Sequence, residues 1–280
     1  MKYASMKYDI SANLGDQIQT LAAEQFLPKV DCRINRDTMG RDGLEEPHMV
    51  ILNGWFSHAK KNCFPPSKNV IPVFFGFHIS DWHEGRILEY FLSPPCIAYL
   101  KDHGPVGCRD RKTMERLQDK GVNAFYSKCL TLTFPRREKD PKDGKIFLVG
   151  INKSAPLPES LDSSRVYVTH GVKDYYDDEI KISMAEHLLK MYREQAKMVI
   201  TSKIHCAMPC IAMGIPVVFF GDENDYRISI LRDLGVPIYS SMIKKEIREK
   251  IDWNPPPINL EPEKVEMRNK ISEMIAAVTH

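Results

Sequence analysis

Short β-branched or aromatic runs alternate with helix-length segments along almost the whole chain, and this pattern constrains the fold more than any other feature. Consecutive strands separated by helices are typical of β-α-β units, which form parallel sheets covered by helices on both faces. The first half contains predicted strands at Lys2–Tyr8, Met49–Leu52, Val70–Phe75, Val106–Cys108 and Asn123–Tyr126, and predicted helices at Gly15–Gln25, Gly85–Phe91, Pro95–Asp102 and Arg111–Lys120. We therefore expect an α/β protein with parallel sheets.

A charged segment interrupts this alternation. Eight of the ten residues in Arg136–Lys145 are charged, and the other two are proline and glycine. Such a segment cannot contribute to a core, so it predicts a linker or an exposed crossover. Because 280 residues exceed the size of a comfortable single core, we expect two domains.

The alternation resumes after the charged segment. Predicted strands lie at Lys145–Val149, Arg165–Thr169, Met198–Thr201, Val217–Phe220 and Pro237–Tyr239, and predicted helices at Ile182–Lys197, around His205 and at Arg227–Leu234. A last helix is predicted over 261–278, with Val265, Met267, Ile271, Met274 and Ile275 on one face. We expect this helix to pack back on the first domain.

The composition excludes several classes of protein. A formal net charge of +2 gives no support for binding nucleic acid through bulk charge. No apolar run approaches the roughly 20 residues of a membrane-spanning helix, and the first residues lack the apolar stretch of a secretory signal. Seven cysteines without a C-x-x-C pair indicate free thiols. These features favour a cytoplasmic protein with no integral membrane segment, whereas the oligomeric state is not predicted.

The segment that follows the strand at Met198–Thr201 has the features of an anion site. Ser202, Lys203 and His205 fall at the start of a helix, where unpaired N–H groups and the helix dipole favour negative charge. Ligands of open α/β sheets also bind at this edge. The alternative is structural, with Ser202 as an N-cap, Lys203 solvated and His205 part of the packing.

Two further segments place polar groups after predicted strands. Asn13-Leu14-Gly15-Asp16 follows the first strand, and its glycine lets the backbone approach a ligand closely, although no G-x-G-x-x-G fingerprint is present. The alternative is an ordinary helix capped by Asn13 or Asp16. Arg109 follows the strand at Val106–Cys108, and its guanidinium group can bind a carboxylate or phosphate through two parallel hydrogen bonds. Its alternative is a surface ion pair, either Arg109–Asp110 or Arg111–Glu115.

The stretch from Tyr126 to Phe134 could line a cleft through Ser127, Lys128 and neighbouring hydroxyls, or could form a plain edge strand. A zinc site at His205, Cys206 and Cys210 is disfavoured, because the spacing matches no usual pattern and a fourth ligand is missing. The two cysteines are better explained as small core residues. No metal is therefore expected. The sequence also lacks the G-x-S-x-G elbow of a serine hydrolase.

Taken in order, these pieces resemble the polysaccharide pyruvyl transferase family over roughly residues 1–225. The matching segments are Asn13-Leu14-Gly15-Asp16-Gln17-Ile18-Gln19, Gly107-Cys108-Arg109-Asp110, Ser127-Lys128-Cys129-Leu130-Thr131, Ser202-Lys203-Ile204-His205 and Gly214-Ile215-Pro216-Val217. The resemblance implies two Rossmann-like domains facing across a cleft, the GT-B arrangement. These would be an acceptor domain at 1–135 and a donor domain at 136–260, with the C-terminal helix at 261–280.

The resemblance also implies an activity. A pyruvyl group would pass from phosphoenolpyruvate to two hydroxyls of a sugar, forming a cyclic ketal and releasing phosphate. The acceptor would be a surface or cell-wall glycan or a lipid-linked sugar at the inner face of the membrane. Phosphoenolpyruvate would serve as co-substrate, and no other cofactor is implied.

The same resemblance assigns roles to individual residues. The family's catalytic histidine corresponds to His205, and Asp16 would accept the proton of the acceptor hydroxyl. Donor binding falls to Arg109, Lys203, Ser202, Ser127 and Lys128, and acceptor binding to Asn13 and Gly15. Two positions depart from the family, because Lys128 stands where glycine is usual and Lys203 where arginine is common. A GT-B glycosyltransferase with a nucleotide-sugar donor and a non-catalytic glycan- or nucleotide-binding relative are the alternatives.

Overall fold

The computed structural model describes residues 1–56, 63–81, 86–155, 157–240 and 249–279. The chain divides into two compact units. The first contains Met1–Ser11, Gln19–Leu130 and the chain from Val265 onward, and the second contains Ala12–Ile18 and Thr131–Lys264. The assignment of one domain to the acceptor and the other to the donor stays a prediction.

The first unit is built on a six-stranded parallel sheet. Its strands are β1 (Lys2–Lys7), β2 (Cys32–Asn35), β3 (His48–Phe56), β4 (Val70–Ile79), β5 (Val106–Cys108) and β6 (Ala124–Tyr126), in the order β2-β1-β3-β4-β5-β6. The two central strands β3 and β4 are almost wholly buried. This burial follows from their nearly continuous apolar sequences, which are typical of a parallel sheet covered on both faces.

Helices follow the strands of the first unit. They are α1 (Gly15–Glu24), which starts in the segment grouped with the second unit, α2 (Arg86–Phe91), α3 (Pro94–Asp102) and α4 (Arg111–Gln118), with a 3-10 helix at Arg36–Arg41. A further 3-10 helix at Leu130–Thr133 begins in the first unit and belongs to the second from Thr131 onward. Gly85, predicted to begin a helix, lies outside the described residues. The 3-10 turn after β6 shows that the edge-strand alternative for Tyr126–Phe134 is wrong.

The second unit contains a five-stranded parallel sheet. Its strands are β7 (Lys145–Val149), β8 (Arg165–Val168), β9 (Ala196–Thr201), β10 (Val217–Phe220) and β11 (Ile238–Tyr239), in the order β11-β10-β9-β7-β8. Its helices are α5 (Asp178–Gln195), α6 (Ile204–Ala212) and α7 (Ser229–Asp233), with 3-10 helices at Glu159–Ser164 and Tyr226–Ile228. The charged stretch 136–144 contains neither helix nor strand.

The last helix, α8 (Glu261–Thr279), groups with the first unit from Val265 onward. Met267, Ile271 and Met274 are buried on one face, as predicted. Val265 was wrongly assigned to that face and is 58% exposed. The buried residues recur at intervals of three and four, and Val265 does not fit this spacing.

The predicted α/β class with parallel sheets is confirmed, and the strand bounds agree with prediction to within a few residues, except that β3 and β4 each extend four residues further. One strand, β2, was not predicted, because its sequence Cys32-Arg33-Ile34-Asn35 is short and largely polar. The GT-B arrangement stays a prediction. In the part of the chain described, no helix combines the length and apolarity needed to cross a membrane.

Candidate active site

In each unit the strands are parallel, so their carboxyl ends meet at one edge of the sheet. This is the edge at which open α/β sheets bind ligands. The residues predicted to act chemically fall into two groups. Asn13, Gly15, Asp16, Ser202, Lys203 and His205 belong to the second unit, and Arg109, Ser127 and Lys128 belong to the first.

The structure brings Gly15 and His205 into direct contact. A Cβ atom built on Gly15 would lie 3.1 Å from both the Cβ and the Nδ1 of His205. Such contacts are tighter than ordinary van der Waals packing, so a side chain at this position would require the imidazole to shift by a few tenths of an ångström. His205 lies in the first turn of α6 and is only 8% exposed.

Backbone bonds attach the segment around Gly15 to the second unit. The Leu14 N–H donates to the His170 carbonyl at 2.9 Å, and the Val172 N–H donates to the Ala12 carbonyl at 3.0 Å. Asn13 pairs with Gly171 in an isolated antiparallel bridge. These bonds explain why residues 12–18 group with the strand ends of the second sheet.

Asn13 and Asp16 lie close to this contact in the chain. The Asn13 Oδ1 accepts a 3.1 Å hydrogen bond from the Gly15 N–H, which shapes the turn into α1. Asp16 is buried in the first helical turn. The predicted domain bounds place Asp16 and His205 in separate domains, whereas the structure groups both in the second unit.

The turn from β9 into α6 positions Ser202 and Lys203. The Ser202 hydroxyl donates to the Gly150 carbonyl at 2.8 Å, and the Lys203 N–H donates to the Thr201 Oγ1 at 2.9 Å. Lys203 is the N-cap residue and is exposed, without a side-chain capping bond. The alternative that Ser202 caps the helix is therefore wrong, and Lys203 places a cation at the positive end of α6.

The two cysteines of α6 are wholly buried, as predicted for core residues. Burial raises the pKa of Cys210 well above its ordinary range, so this thiol stays protonated near neutrality. The His170 Nε2 lies 2.9 Å from the hydroxyl of Tyr192, a residue of α5. Among the described residues, no cluster of three metal-ligating side chains is found.

In the first unit, Arg109 leaves the end of β5 and is only 3% exposed. Its backbone N–H donates to the Phe77 carbonyl at 2.9 Å, which fixes it beside the end of β4. Within the described part of the chain, its buried Nε has no hydrogen-bond partner. The predicted alternative of a surface ion pair is wrong for Arg109, because the side chain is buried.

Asp110 and His78 form a buried pair next to Arg109. The Asp110 Oδ2 lies 2.6 Å from the His78 Nδ1 and accepts from the Thr113 hydroxyl at 2.9 Å. The Asp110 Oδ1 caps α4 by accepting from the Thr113 N–H at 2.8 Å. Although burial by itself raises the pKa of Asp110, the hydrogen bond and charge of His78 and the charge of Arg109 lower it below the ordinary 3.8.

Lys128 adopts a backbone conformation that is rare for residues other than glycine, with φ of +61°. Next to it, the Ser127 hydroxyl accepts from the Gly76 N–H at 2.9 Å, and its one proton lies within reach of the carbonyl oxygens of Cys108 at 3.1 Å and Lys128 at 3.0 Å. Ser127 thus connects β4, β5 and the Lys128 turn. The position at which the resemblance predicts glycine therefore has a left-handed backbone in this protein.

Sequence analysis missed four residues that shape these edges. His78 and Asn53 are wholly buried polar residues near the ends of otherwise apolar strands, and that interruption was a usable signal. Gly76 (φ +77°) and Gly150 (φ +69°) adopt conformations that favour glycine. A Cβ on Gly76 would lie 2.2 Å from the Asn53 Oδ1, and one on Gly150 would lie 2.6 Å from the Ser202 hydroxyl.

Comparison with known proteins supplies the family. A family model described as polysaccharide pyruvyl transferase matches residues 13–224. No curated protein matches the chain. An uncharacterized protein from Klebsiella pneumoniae has a similar structure, with a TM-score of 0.50 and 14% identity over 85% of this chain and 93% of that one. A co-structure of S. aureus MnaA with UDP has a TM-score of 0.44 and 9% identity, covering 100% of this chain and 98% of that one.

The family match begins at Asn13, the residue that shapes the turn onto His205, and it extends past Arg109, Lys128 and His205. It covers well over half of the chain and every residue described above as a candidate for the site. The chain belongs to the polysaccharide pyruvyl transferase family.

Proposed function

We propose that this protein transfers a pyruvyl group from phosphoenolpyruvate to two hydroxyls of a sugar in a surface or cell-wall glycan. The product is a cyclic ketal, and phosphate is released. The observation that carries the proposal is Arg109, a buried cation whose Nε lacks a hydrogen-bond partner in the described chain. A buried guanidinium with donors to spare suits the carboxylate or phosphate of such a donor.

Two further cations support an anionic donor. Lys203 is exposed at the N-terminus of α6, where the helix dipole favours a negative group. Lys128 projects from a turn that the Ser127 hydroxyl connects to β4 and β5. We assign Ser127 and Ser202 supporting roles in donor binding, since each hydroxyl bonds to backbone atoms beside these lysines.

The chemistry needs one proton donor and proton acceptors. Protonation of C3 of phosphoenolpyruvate forms a methyl group and makes C2 electrophilic. The first sugar hydroxyl bonds to C2 and loses its proton. The second hydroxyl then bonds to C2 and loses its proton as the C2–O bond to phosphate breaks, so the two hydroxyl protons balance those gained by C3 and by phosphate.

His205 is assigned the proton transfer to C3, because an imidazole titrates near neutrality and can both donate and accept. Asp16 is assigned the proton of the acceptor hydroxyl, and Asn13 and Gly15 the binding of the acceptor. The close contact of Gly15 with the imidazole supports this arrangement, since it fixes the ring next to the turn that Asn13 shapes.

The compartment and cofactors follow from the same proposal. All seven cysteines are free, which supports action in a reducing compartment such as the cytoplasm, with a lipid-linked acceptor at the inner face of the membrane. Phosphoenolpyruvate is a co-substrate that supplies the transferred carbon atoms, so the reaction as written balances without a resident cofactor or metal.

Donor titration tests the proposal. We expect phosphoenolpyruvate to raise the melting temperature of the purified protein, because a ligand that binds the folded state stabilises it by mass action. Arg109→Lys should abolish this increase, since lysine keeps the charge but loses the fork. Arg111→Lys is the matched control, because Arg111 lies two residues further along the chain, is exposed and stacks over Tyr126.

The catalytic assignment has its own readout. His205→Gln should still respond to phosphoenolpyruvate but should release phosphate roughly 10²–10⁴-fold more slowly with an acceptor present. Full activity in a folded His205→Gln protein would refute the role of His205. Stabilisation by UDP-sugars instead of phosphoenolpyruvate would favour a glycosyltransferase, and donor binding without phosphate release would favour a non-catalytic relative.

A further inference from the structure

His170 is a buried polar residue that the proposed reaction does not use. It follows the end of β8, in a stretch without helix or strand, and is only 2% exposed. Burying an imidazole costs free energy unless its polar atoms find partners. The partners of His170 belong to the two segments that meet at Gly15 and His205.

The main chain of His170 holds the segment that carries Gly15. Its carbonyl accepts from the Leu14 N–H at 2.9 Å, and the next residue, Gly171, pairs with Asn13 in the antiparallel bridge. Leu14 is the residue immediately before Gly15. The placement of the turn at Gly15 therefore depends on the placement of the His170 main chain, and a shift of one would carry over to the other.

The ring of His170 reaches the segment that carries His205. Its partner there is the thiol of Cys206, which immediately follows His205 in the first turn of α6 and is wholly buried. Although burial by itself raises the pKa of Cys206, hydrogen bonds with Cys210 and His170 and the charge of His170 lower it. The imidazole of His170 is therefore bonded to the helical turn from which the imidazole of His205 projects.

A further bond anchors the same ring in the core of the second unit. The His170 Nε2 lies 2.9 Å from the Tyr192 hydroxyl, and the two rings stack with centroids 6.1 Å apart. Tyr192 is wholly buried and packs edge-on against Phe147 of β7, at 5.5 Å between ring centroids. Burial raises the pKa of Tyr192 well above its ordinary range, so its hydroxyl stays protonated. A loop residue whose ring is locked in this way also keeps its own carbonyl in place.

We propose that His170 is a positioning residue, which uses its carbonyl and its ring to set the placement of the His205 imidazole against the turn at Gly15. Asp16 follows that turn, so both groups to which proton transfer is assigned depend on His170. This inference rests on the proposed transfer, and it adds a residue that acts through others. Proton transfer requires hydrogen-bond reach, so a small displacement of either group slows it.

His170→Phe tests the inference, because phenylalanine keeps a buried ring but loses the polar contacts. The acceptor is the hexose or N-acetylhexosamine oligosaccharide on which the parent protein releases phosphate fastest. We expect kcat to fall by about 3–10-fold and the KM for phosphoenolpyruvate to stay within about twofold, because donor binding is assigned to other residues. His170→Gln retains side-chain hydrogen-bonding atoms and should recover most of the loss in kcat.

The titration of His205 by NMR gives a readout that needs no acceptor. Its ring signal is assigned by its absence from His205→Gln, and its midpoint should move in His170→Phe. Leu148→Ala is the matched control, because Leu148 is buried in β7 on the face of the sheet opposite to Phe147. This control should lower the free energy of unfolding but leave kcat and the His205 titration of the folded protein unchanged.

Cys206→Ala removes only the contact with α6, and it replaces His170→Phe if that variant does not fold. It should change kcat and the His205 titration in the same direction and by less. An unchanged kcat and titration in the folded His170→Phe protein, or in Cys206→Ala in its place, would overturn the inference. Equal changes in Leu148→Ala would also overturn it, since they would follow from lost stability alone.

These outcomes are separable from those of the donor titration. If phosphoenolpyruvate does not bind and no phosphate is released, the proposed reaction is refuted, and the His205 titration in the variants still decides whether His170 positions the ring. If phosphate is released but neither kcat nor the titration responds to His170→Phe, the positioning role alone fails.

Discussion

In the first unit the cation at the sheet edge is buried, whereas in the second unit Lys203 is exposed and the buried group is an imidazole. Arg109 lies beside the His78–Asp110 pair, and these side chains support one another inside the fold. The position of the His205 ring instead depends on the absence of a side chain at Gly15. We infer that disturbing the His78–Asp110 pair at the edge of the first sheet mainly lowers stability, whereas disturbing the Gly15–His205 contact at the edge of the second sheet mainly lowers activity.

The largest effect is expected for Asp110→Ala in the first unit. This change removes the cap of α4 and the partner of a wholly buried His78. Together these losses should lower the free energy of unfolding by on the order of 3 kcal/mol. Urea denaturation measures the change, and Asp119→Ala, at the exposed C-terminal end of the same helix, is the control expected to stay within about 0.5 kcal/mol.

The same pair makes stability depend on pH. Because the pKa of folded Asp110 is lowered, its contribution is fully present above its ordinary value of 3.8 and is lost as the pH falls through the lower folded value. Asp110→Asn should therefore show a smaller loss of unfolding free energy than the parent protein as the pH drops below about 4. An identical acid profile in both proteins would contradict the ion-pair assignment.

The second edge is tested by Gly15→Ala. The added methyl group would press on the His205 ring from 3.1 Å and displace it. We expect phosphate release to slow by up to about 10-fold, because a shift of a few tenths of an ångström is smaller than the roughly 1 Å misplacement that costs about 100-fold. Stability should change by less than about 1 kcal/mol, because alanine favours the first turn of α1.

Parallel measurements distinguish the two edges. Urea denaturation of Gly15→Ala shows whether the protein is intact, and the titration of His205 by NMR reports whether its ring has moved. A fully active Gly15→Ala protein would show that the close contact does not position the imidazole. A loss of several kcal/mol would show that the second edge, like the first, mainly supports the fold.

The smallest effect is expected for Lys128→Gly, back in the first unit. Glycine accepts a φ of +61° without strain, so the free energy of unfolding should rise by about 0.5–1 kcal/mol despite the greater entropy of the unfolded chain. Donor affinity should fall at the same time, since a cation is lost. Lys120→Gly is the control, and we expect it to give no increase in the free energy of unfolding. A Lys128→Gly protein that is less stable than its parent would refute the conclusion that the backbone of Lys128 is strained.

Much of the fold follows from local patterns. The runs Lys145–Val149 and Val217–Phe220 were predicted with the bounds that the structure shows, because short runs rich in β-branched and aromatic residues are typical of a strand covered on both faces. β2 was missed because its single buried residue, Ile34, gives no such signal. The exposure of Val265 likewise depends on which helical face meets the core, which the period alone leaves open.

The residues of the site were found as separate pieces, because strand-end polar groups are visible in sequence. Which of these residues lie together was not visible in the sequence, since it depends on bonds between positions far apart in the chain. Gly15 meets His205 because Leu14 bonds to His170, and Arg109 is buried because β4 and β5 pair beside it. The sequence by itself determined the α/β class and the chemistry available, through periodicity and residue type. Only the tertiary structure decided which of these groups touch, because contact depends on long-range packing.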